Sequence, residues 1–108
     1  MTRSPLLAIS IGCPSGVGPE VSVAAAASTD ERVVLIGDRA VIGAAARARG
    51  VTARIVTVAD RDAARALRAG AIGVWASSVA LEGPPRPGEP DRAAGAAQLA
   101  WVDQATDL

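Results

Sequence analysis

Short apolar runs alternate with helical segments along this chain, and the alternation restricts the fold more than any other feature. The runs cover Leu6–Ile11, Arg32–Gly37 and Ala53–Val58, and a weaker one covers Ala71–Ser77. Nearly continuous apolar runs of this length are typical of strands buried on both faces. Because helical segments of about ten residues separate them, the pattern predicts βαβ units. The expected fold class is therefore α/β, a mainly parallel sheet with helices on both faces.

The segments between the runs carry helix signals of their own. Pro19–Ala27 begins with a proline, whose missing N–H costs nothing in a first helical turn. Asp38 is a predicted N-cap for a helix over Arg39–Arg49, and a short helix is expected over Arg61–Arg68. After the Pro-rich stretch Glu82–Pro90, a last helix is expected with one face in the core. That face consists of Ala94, Ala97, Trp101 and Ala105.

The 108-residue chain contains no His, and all of its 11 basic residues are Arg. Without His it cannot form a Ser-His-Asp triad or a His–Cys zinc site, and without Lys it cannot form a Schiff base. A formal net charge of zero argues against a nucleic-acid partner. The single Cys cannot form an internal disulfide, and the first apolar run is too short to span a membrane. We therefore expect a cytoplasmic protein with no membrane or nucleic-acid partner.

Glycine and proline are concentrated in SIGCPSGVGPEVS, residues 10–22, between the first predicted strand and the first predicted helix. Ligands of parallel sheets bind beyond the carboxyl ends of strands, where this segment lies. A Walker A loop is excluded because there is no Lys. Gly16 and Gly18 match two glycines of a Rossmann fingerprint, but Val21 holds the third position. In that fingerprint Asp38 would contact a ribose, although a helix cap is the favoured role of Asp38. The third interpretation of residues 10–22 is a purely structural turn.

The stretch ISIGCPSGVGPEV resembles the N-terminal signature of the 4-hydroxythreonine-4-phosphate dehydrogenase family, roughly T-x-G-[DE]-P-[AS]-G-I-G-P-E. Isocitrate and isopropylmalate dehydrogenases carry a similar G-D-G-I-G-P-E loop. VVLIGDRAVIGAAARARG is similar to the family's second strand and following helix. PGEPDRAAGAAQLAWVDQATDL is similar to a Pro-Gly loop and a helix that opens with a glycine, Gly95 here. The resemblance follows the whole chain in order and implies an isocitrate/isopropylmalate dehydrogenase-like fold.

The resemblance also implies an activity. Members of the family oxidise 4-(phosphooxy)-L-threonine, a small phosphorylated substrate, with NAD, and the β-keto product loses carbon dioxide during pyridoxal 5'-phosphate biosynthesis. The enzyme is expected to be a homodimer with a divalent metal held by histidines, which polarises the alcohol and then the ketone. Because this chain lacks His and Lys, residues 1–108 match only the N-terminal portion. We expect them to contain no catalytic or metal-binding residue and to be inactive alone.

The glycine-proline loop would form a wall of the cofactor site. Glycines let a backbone approach a cofactor closely, and a helix N-terminus favours an anion. The resemblance therefore gives six expected cofactor-binding residues: Gly12, Pro14, Gly16, Gly18, Pro19 and Glu20. The family's acid is replaced by Cys13, for which a small inert thiol is the favoured interpretation.

Two alternatives to the enzyme fragment stay open, a stand-alone nucleotide-binding α/β module and a non-catalytic remnant. The last helix reaches DQATDL without a Gly or Pro stop, so we expect the natural protein to continue beyond Leu108. Tight NAD binding by the isolated chain would favour the module. An exposed sheet edge, poor solubility or dimerisation would favour the fragment.

Overall fold

The computed structural model describes residues 6–12, 16–68, 70–76 and 92–107. Strands and helices alternate along these residues, as the apolar pattern predicts. The strands are β1 (Leu6–Ser10), β2 (Arg32–Ile36), β3 (Arg54–Val58) and β4 (Ala71–Trp75). The helices are α1 (Gly18–Ser28), α2 (Arg39–Ala48), α3 (Arg61–Arg65) and α4 (Arg92–Asp107). The Pro-rich stretch Glu82–Pro90 and Asp91 lie outside the described residues.

The four described strands form one sheet in the order β1-β2-β4-β3, and every neighbouring pair is parallel. Residues that are paired across a parallel sheet point to the same face. One face therefore carries Ala8, Val34, Gly73 and Val56. The other face carries Ile9, Leu35, Val74 and Thr57. These are called the Ala8 face and the Leu35 face below.

Helices cover both faces of the sheet, which confirms the predicted architecture. On the Leu35 face α1 packs against α2, and Arg39 of α2 donates a hydrogen bond to the Thr57 hydroxyl at 2.6 Å. On the Ala8 face α3 packs on β2 and β3, and α4 packs on β1 and β2. Between β3 and β4 the chain reverses its direction across the sheet. A right-handed crossover in the reversed direction places its helix on the opposite face, so α3 lies on the Ala8 face.

Aliphatic side chains and one Trp form the core. Trp101 of α4 is fully buried, Ala97 is buried and Ala105 is partly buried, so these predicted core positions are confirmed. The Ala94 side chain lies outside the description. Small residues fill the space between helix and sheet: a Cβ at Gly73 would lie 2.9 Å from Leu67 Cδ1 and 3.1 Å from Val34 Cγ2.

Two sequence predictions are wrong in detail. β1 is not buried on both faces, because it lies at an edge of the described sheet and Leu7 is 39% exposed. The third helix ends at Arg65 instead of Arg68. After Arg65 the backbone tightens, with Ala66 N–H and Leu67 N–H donating to the carbonyls three residues earlier at 3.2 Å, and this turn brings the Leu67 side chain into the core beside Gly73.

Candidate functional site

The carboxyl ends of all described strands meet at one edge of the sheet, called the carboxyl edge here. The segments that follow the three neighbouring strands β1, β2 and β4 begin there at Ile11, Gly37 and Ala76. The helix after β2 lies on the Leu35 face, and the helix after β4 lies on the Ala8 face. Such a change of face between adjacent strands opens a crevice beyond their carboxyl ends, where ligands of open α/β sheets bind.

The turn after β1 requires glycine at two positions. Gly12 has a φ of +78°, a backbone conformation that side chains with a Cβ rarely adopt. At Gly18 an added Cβ would overlap the Ile11 carbonyl oxygen and lie 3.4 Å from Gly12 Cα. The first residue of α1 therefore lies directly against the last backbone atoms before the turn. The Ile11 N–H, which donates to the Ile36 carbonyl at 3.2 Å, fixes that strand end in the sheet.

The N-terminus of α1 has no side-chain cap from the residues that the structure describes. Val17 holds the N-cap position, makes no capping hydrogen bond and is 72% exposed. Pro19 follows in the first turn and is buried, and Glu20 is half-buried beside it. The first N–H groups of a helix carry partial positive charge, and among the described residues no cap side chain occupies them. A helix end of this kind favours an anionic group, and the Glu20 carboxylate of the first turn already lies in the same field.

The turn after β2 is built differently. The Asp38 carboxylate accepts hydrogen bonds from Ala40 N–H at 2.8 Å and from Val41 N–H at 3.1 Å, so it caps α2. This confirms the helix-cap interpretation of Asp38. Both N–H groups donate to one carboxylate oxygen, Oδ1, so the structural role of Asp38 is the cap of its own helix.

Most of the predicted site residues lie together in the described part of the chain. Gly12, Gly16, Gly18, Pro19 and Glu20 all lie at the carboxyl edge, between β1 and the first turn of α1, and the structure brings Gly12 and Gly18 together. Pro14 and Cys13 lie outside the described residues.

Sequence reasoning missed the change of helix face between β2 and β4, because it depends on strand order. It also missed the Ser10 hydroxyl, which is buried at the end of β1 with no hydrogen-bond partner among the described residues. A single serine at the end of an apolar run gives no sequence signal of this kind.

Among the described residues, no group of three His, Cys, Asp or Glu side chains lies close enough together to hold a metal ion. A metal held by histidines does not fit this chain, since it has no His. In the same part of the chain no helix has both the length and the apolar character needed to cross a bilayer.

These features define a parallel α/β domain with a glycine-rich turn at the carboxyl edge of its sheet. No family model matches the chain. Among proteins of known name, it is 33% identical over 112 aligned positions to the 4-hydroxythreonine-4-phosphate dehydrogenase of Desulfosudis oleivorans. That match covers 100% of this chain and 32% of the relative. The chain thus spans about a third of the length of that relative.

Solved structures of proteins with the same name are also similar to this chain. A 4-hydroxythreonine-4-phosphate dehydrogenase from Burkholderia phymatum superposes with a TM-score of 0.79 at 24% identity, covering 99% of this chain and 33% of that one. A putative enzyme of that name from Salmonella typhimurium gives 0.77 at 26% identity, covering 100% and 34%. The Klebsiella pneumoniae enzyme gives 0.77 at 25%, covering 97% and 33%. The resemblance to part of the 4-hydroxythreonine-4-phosphate dehydrogenases is confirmed.

Proposed function

We propose that this chain is the N-terminal, cofactor-side part of an NAD-dependent dehydrogenase that oxidises and decarboxylates 4-(phosphooxy)-L-threonine. The complete enzyme would be a cytoplasmic homodimer that works in pyridoxal 5'-phosphate biosynthesis. The named relatives support this proposal, because they match the chain from end to end with about a third of their own length. The exposed edge strand β1 also favours a fragment over a self-contained module.

The observation that carries the proposal is the open N-terminus of α1 beside the crevice. A dinucleotide brings phosphates, and uncapped helix N–H groups are ready-made partners for them. Gly16 and Gly18 present backbone without side chains at this point, and Gly18 already contacts the Ile11 carbonyl. These residues therefore fit a cofactor phosphate. When bound, NAD would serve as the acceptor of the hydride that leaves the substrate alcohol.

The chain's own part is to bind and orient. The buried Pro19 and the contact between Gly18 and Ile11 hold the first turn of α1 at a fixed distance from the strand end. The crevice then has one rigid wall, so less ordering is needed when the cofactor binds. The groups that move a proton or hold a metal must come from other parts of the enzyme, because neither His nor Lys occurs here.

The test begins with the coding sequence downstream of the Leu108 codon and the protein that it encodes. The longer protein should reduce NAD with 4-(phosphooxy)-L-threonine, whereas the 108-residue chain should show no activity. A longer protein that neither binds NAD nor oxidises this substrate would contradict the proposal. Tight NAD binding by the 108-residue chain would support the stand-alone module instead.

A variant pair tests the helix end directly. Val17→Asp places a carboxylate at the uncapped N-terminus, where it competes with a cofactor phosphate for the same N–H groups. We expect it to weaken NAD binding to the longer protein about 10-fold, close to 1.4 kcal/mol. Val17→Asn has nearly the same size without the charge and should weaken binding less. Val21→Asp, on an exposed position one turn further along α1, is the charge control. Equal affinities for all three variants would place the cofactor elsewhere.

A further inference from the structure

A groove lies beside α3 and the amino half of β3, on the Ala8 face. This groove, called the β3 groove below, has a volume of about 500 Å³. Helix α3 has five residues and rises about 7 Å, whereas the five residues of β3 extend over about 16 Å. Because α3 begins at the carboxyl edge, it covers only the nearer half of the strand. In the other half Arg54 is exposed and Val56 is half-buried.

The lining of the β3 groove is apolar where it is buried and basic where it is exposed. Leu67 is buried and Val56 is half-buried, whereas Arg54 and Arg68 are exposed. Arg54 is the first residue of β3, and Arg68 belongs to the turn into β4, where its carbonyl accepts the Ala71 N–H at 3.1 Å. Pockets for small molecules have this size and combine an apolar lining with a few polar groups.

The segments that form the β3 groove carry an excess of positive charge. Residues 39–59 contain four Arg and no acid, and residues 63–81 contain two Arg and no acid. Asp60 and Asp62 lie between these segments, at the start of α3 and therefore at the carboxyl edge. The Asp60 carboxylate accepts the Ala63 N–H at 2.7 Å, so it caps α3. No acid of these segments therefore lies at the amino end of β3.

The acids at the amino end of β2 are separated from the groove by a strand. Asp30 and Glu31 precede β2, and β4 lies between β2 and β3. A guanidinium group donates paired hydrogen bonds to phosphate oxygens, and a phosphate monoester carries close to two negative charges at neutral pH. Two arginines that line one groove match that charge. An apolar group attached to the phosphate would find Val56 and Leu67 beside them.

We propose that the β3 groove binds a small organic phosphate, a monoester with a short apolar group. The phosphate would lie between Arg54 and Arg68, and the apolar group would lie against Val56 and Leu67. The described residues that line the groove all belong to positions 52–71, at the end of the sheet opposite the turn for which we propose NAD. The groove is therefore a second ligand site, and it does not depend on the proposed function.

Calorimetric titration with n-butyl phosphate tests the site, and inorganic phosphate and n-butanol represent the two halves of this probe. The natural protein is used, whether it ends at Leu108 or continues. Butyl phosphate should bind saturably and at least about 10-fold more tightly than inorganic phosphate, because its chain covers apolar surface. Butanol should show no saturable binding. Absence of butyl phosphate binding, or equal affinities for the two phosphates, would overturn the proposal.

Arginine variants locate the binding. Arg54→Gln and Arg68→Gln should each weaken butyl phosphate binding at least about 5-fold, because each removes a charged donor. Arg47→Gln removes the same charge near the end of α2 and is the matched control. Arg47 does not line the groove, and its Nη1 atom would lie 3.5 Å from a Cβ at Gly43 of its own helix. This control should bind like the parent, and an equal loss in all three variants would indicate general attraction to positive charge and no site.

A second pair of variants changes the charge of the groove and retains the helix. Ala63 is exposed, lines the groove and is the third residue after the N-cap Asp60. Glu and Gln are both favourable there, because their side chains can reach back to the N–H of the N-cap residue. Ala63→Glu should bind butyl phosphate at least about 5-fold more weakly than Ala63→Gln, because its carboxylate repels the phosphate. Equal binding by these two folded variants would contradict the site.

Discussion

Two turns leave adjacent parallel strands at the carboxyl edge, and both lead into helices on the Leu35 face. After β2 a single acid completes the turn, since Asp38 satisfies two N–H groups of α2. After β1 the turn is longer and contains several glycines and prolines, and its N-cap residue Val17 makes no capping hydrogen bond. The turn after β2 is explained by the stability of its own helix. The described part of the turn after β1 shows no such cap, and it is the turn for which we propose a ligand.

The two turns also share a neighbour. Ile11 is 1% exposed, its carbonyl lies against Gly18, and its side chain lies against Gly37. The contact at Gly18 is with backbone, which cannot move without disturbing the sheet. The contact at Gly37 is with a side chain, which can change rotamer or be shortened. Glycine is therefore required at position 18 by neighbouring backbone and at position 37 by a neighbouring side chain.

The largest effect is expected from Gly18→Ala. The new methyl group would overlap the Ile11 carbonyl, so α1 must move away from the strand end, and we expect a loss of about 3 kcal/mol in the free energy of unfolding. Gly43→Ala on α2 is the matched control, because the nearest atom there is Arg47 Nη1 at 3.5 Å. It should gain about 0.5 to 1 kcal/mol from helix propensity. Urea unfolding of both variants measures this, and equal stabilities would show that the close approach is not required.

Gly37→Ala should cost about 2 kcal/mol, because its methyl group would meet the Ile11 side chain. A double-mutant cycle with Ile11→Ala separates the two turns. The truncation makes room beside Gly37. The double variant Gly37→Ala/Ile11→Ala should therefore lose at least about 1 kcal/mol less free energy of unfolding than the two single variants together. The same cycle with Gly18→Ala should be additive, since truncation leaves the carbonyl in place. Rescue of Gly18→Ala by Ile11→Ala would contradict the distinction.

Asp38→Ala should cost about 1 kcal/mol, the usual value of a lost N-cap, and Asp38→Asn should recover most of it. If the acid serves only as a cap, neither variant should change NAD affinity in the longer protein. Calorimetric titration beside thermal unfolding checks both parts. A loss of affinity in Asp38→Asn with unchanged stability would show that this carboxylate contacts the cofactor after all.

The smallest effect is expected from Cys13→Asp, which restores the acid of the related dehydrogenases. The family loop accepts an acid at this point, so stability should change by no more than about 0.5 kcal/mol. Cys13→Ser is the uncharged control. Thermal unfolding measures the change, and a variant that unfolds while its parent is well folded would count against the family resemblance.

Local pattern was sufficient to predict the strands and the first turn. The β-branched content of RVVLI and RIVTV, the position of Pro19 and the acid at Asp38 are each decided within a few residues. Sequence reasoning named Gly16 and Gly18 for a close backbone approach to a cofactor, whereas the close contact that the structure shows joins Gly18 to Ile11 and Gly12.

Strand order could not be predicted in this way. Nothing in AIGVW shows that it enters between β2 and β3, because that placement depends on pairing across the whole sheet. The change of helix face between β2 and β4 depends on strand order and was therefore missed with it. The exposure of Leu7 was missed for the same reason, since an edge strand and an interior strand share the same apolar sequence.

The position of β4 has a consequence for synthesis. β3 leaves the ribosome before β4, yet β4 is its only neighbour among the described strands. Until Trp75 has been made, β2 and β3 must stay apart by the width of a strand, about 10 Å between their axes. In the nascent chain the facing edges of β2 and β3 therefore stay unpaired until β4 inserts between them. Folding of this kind is slow to begin and prone to mispairing, so the rate of translation across residues 59–75 should influence how much correctly folded protein is obtained.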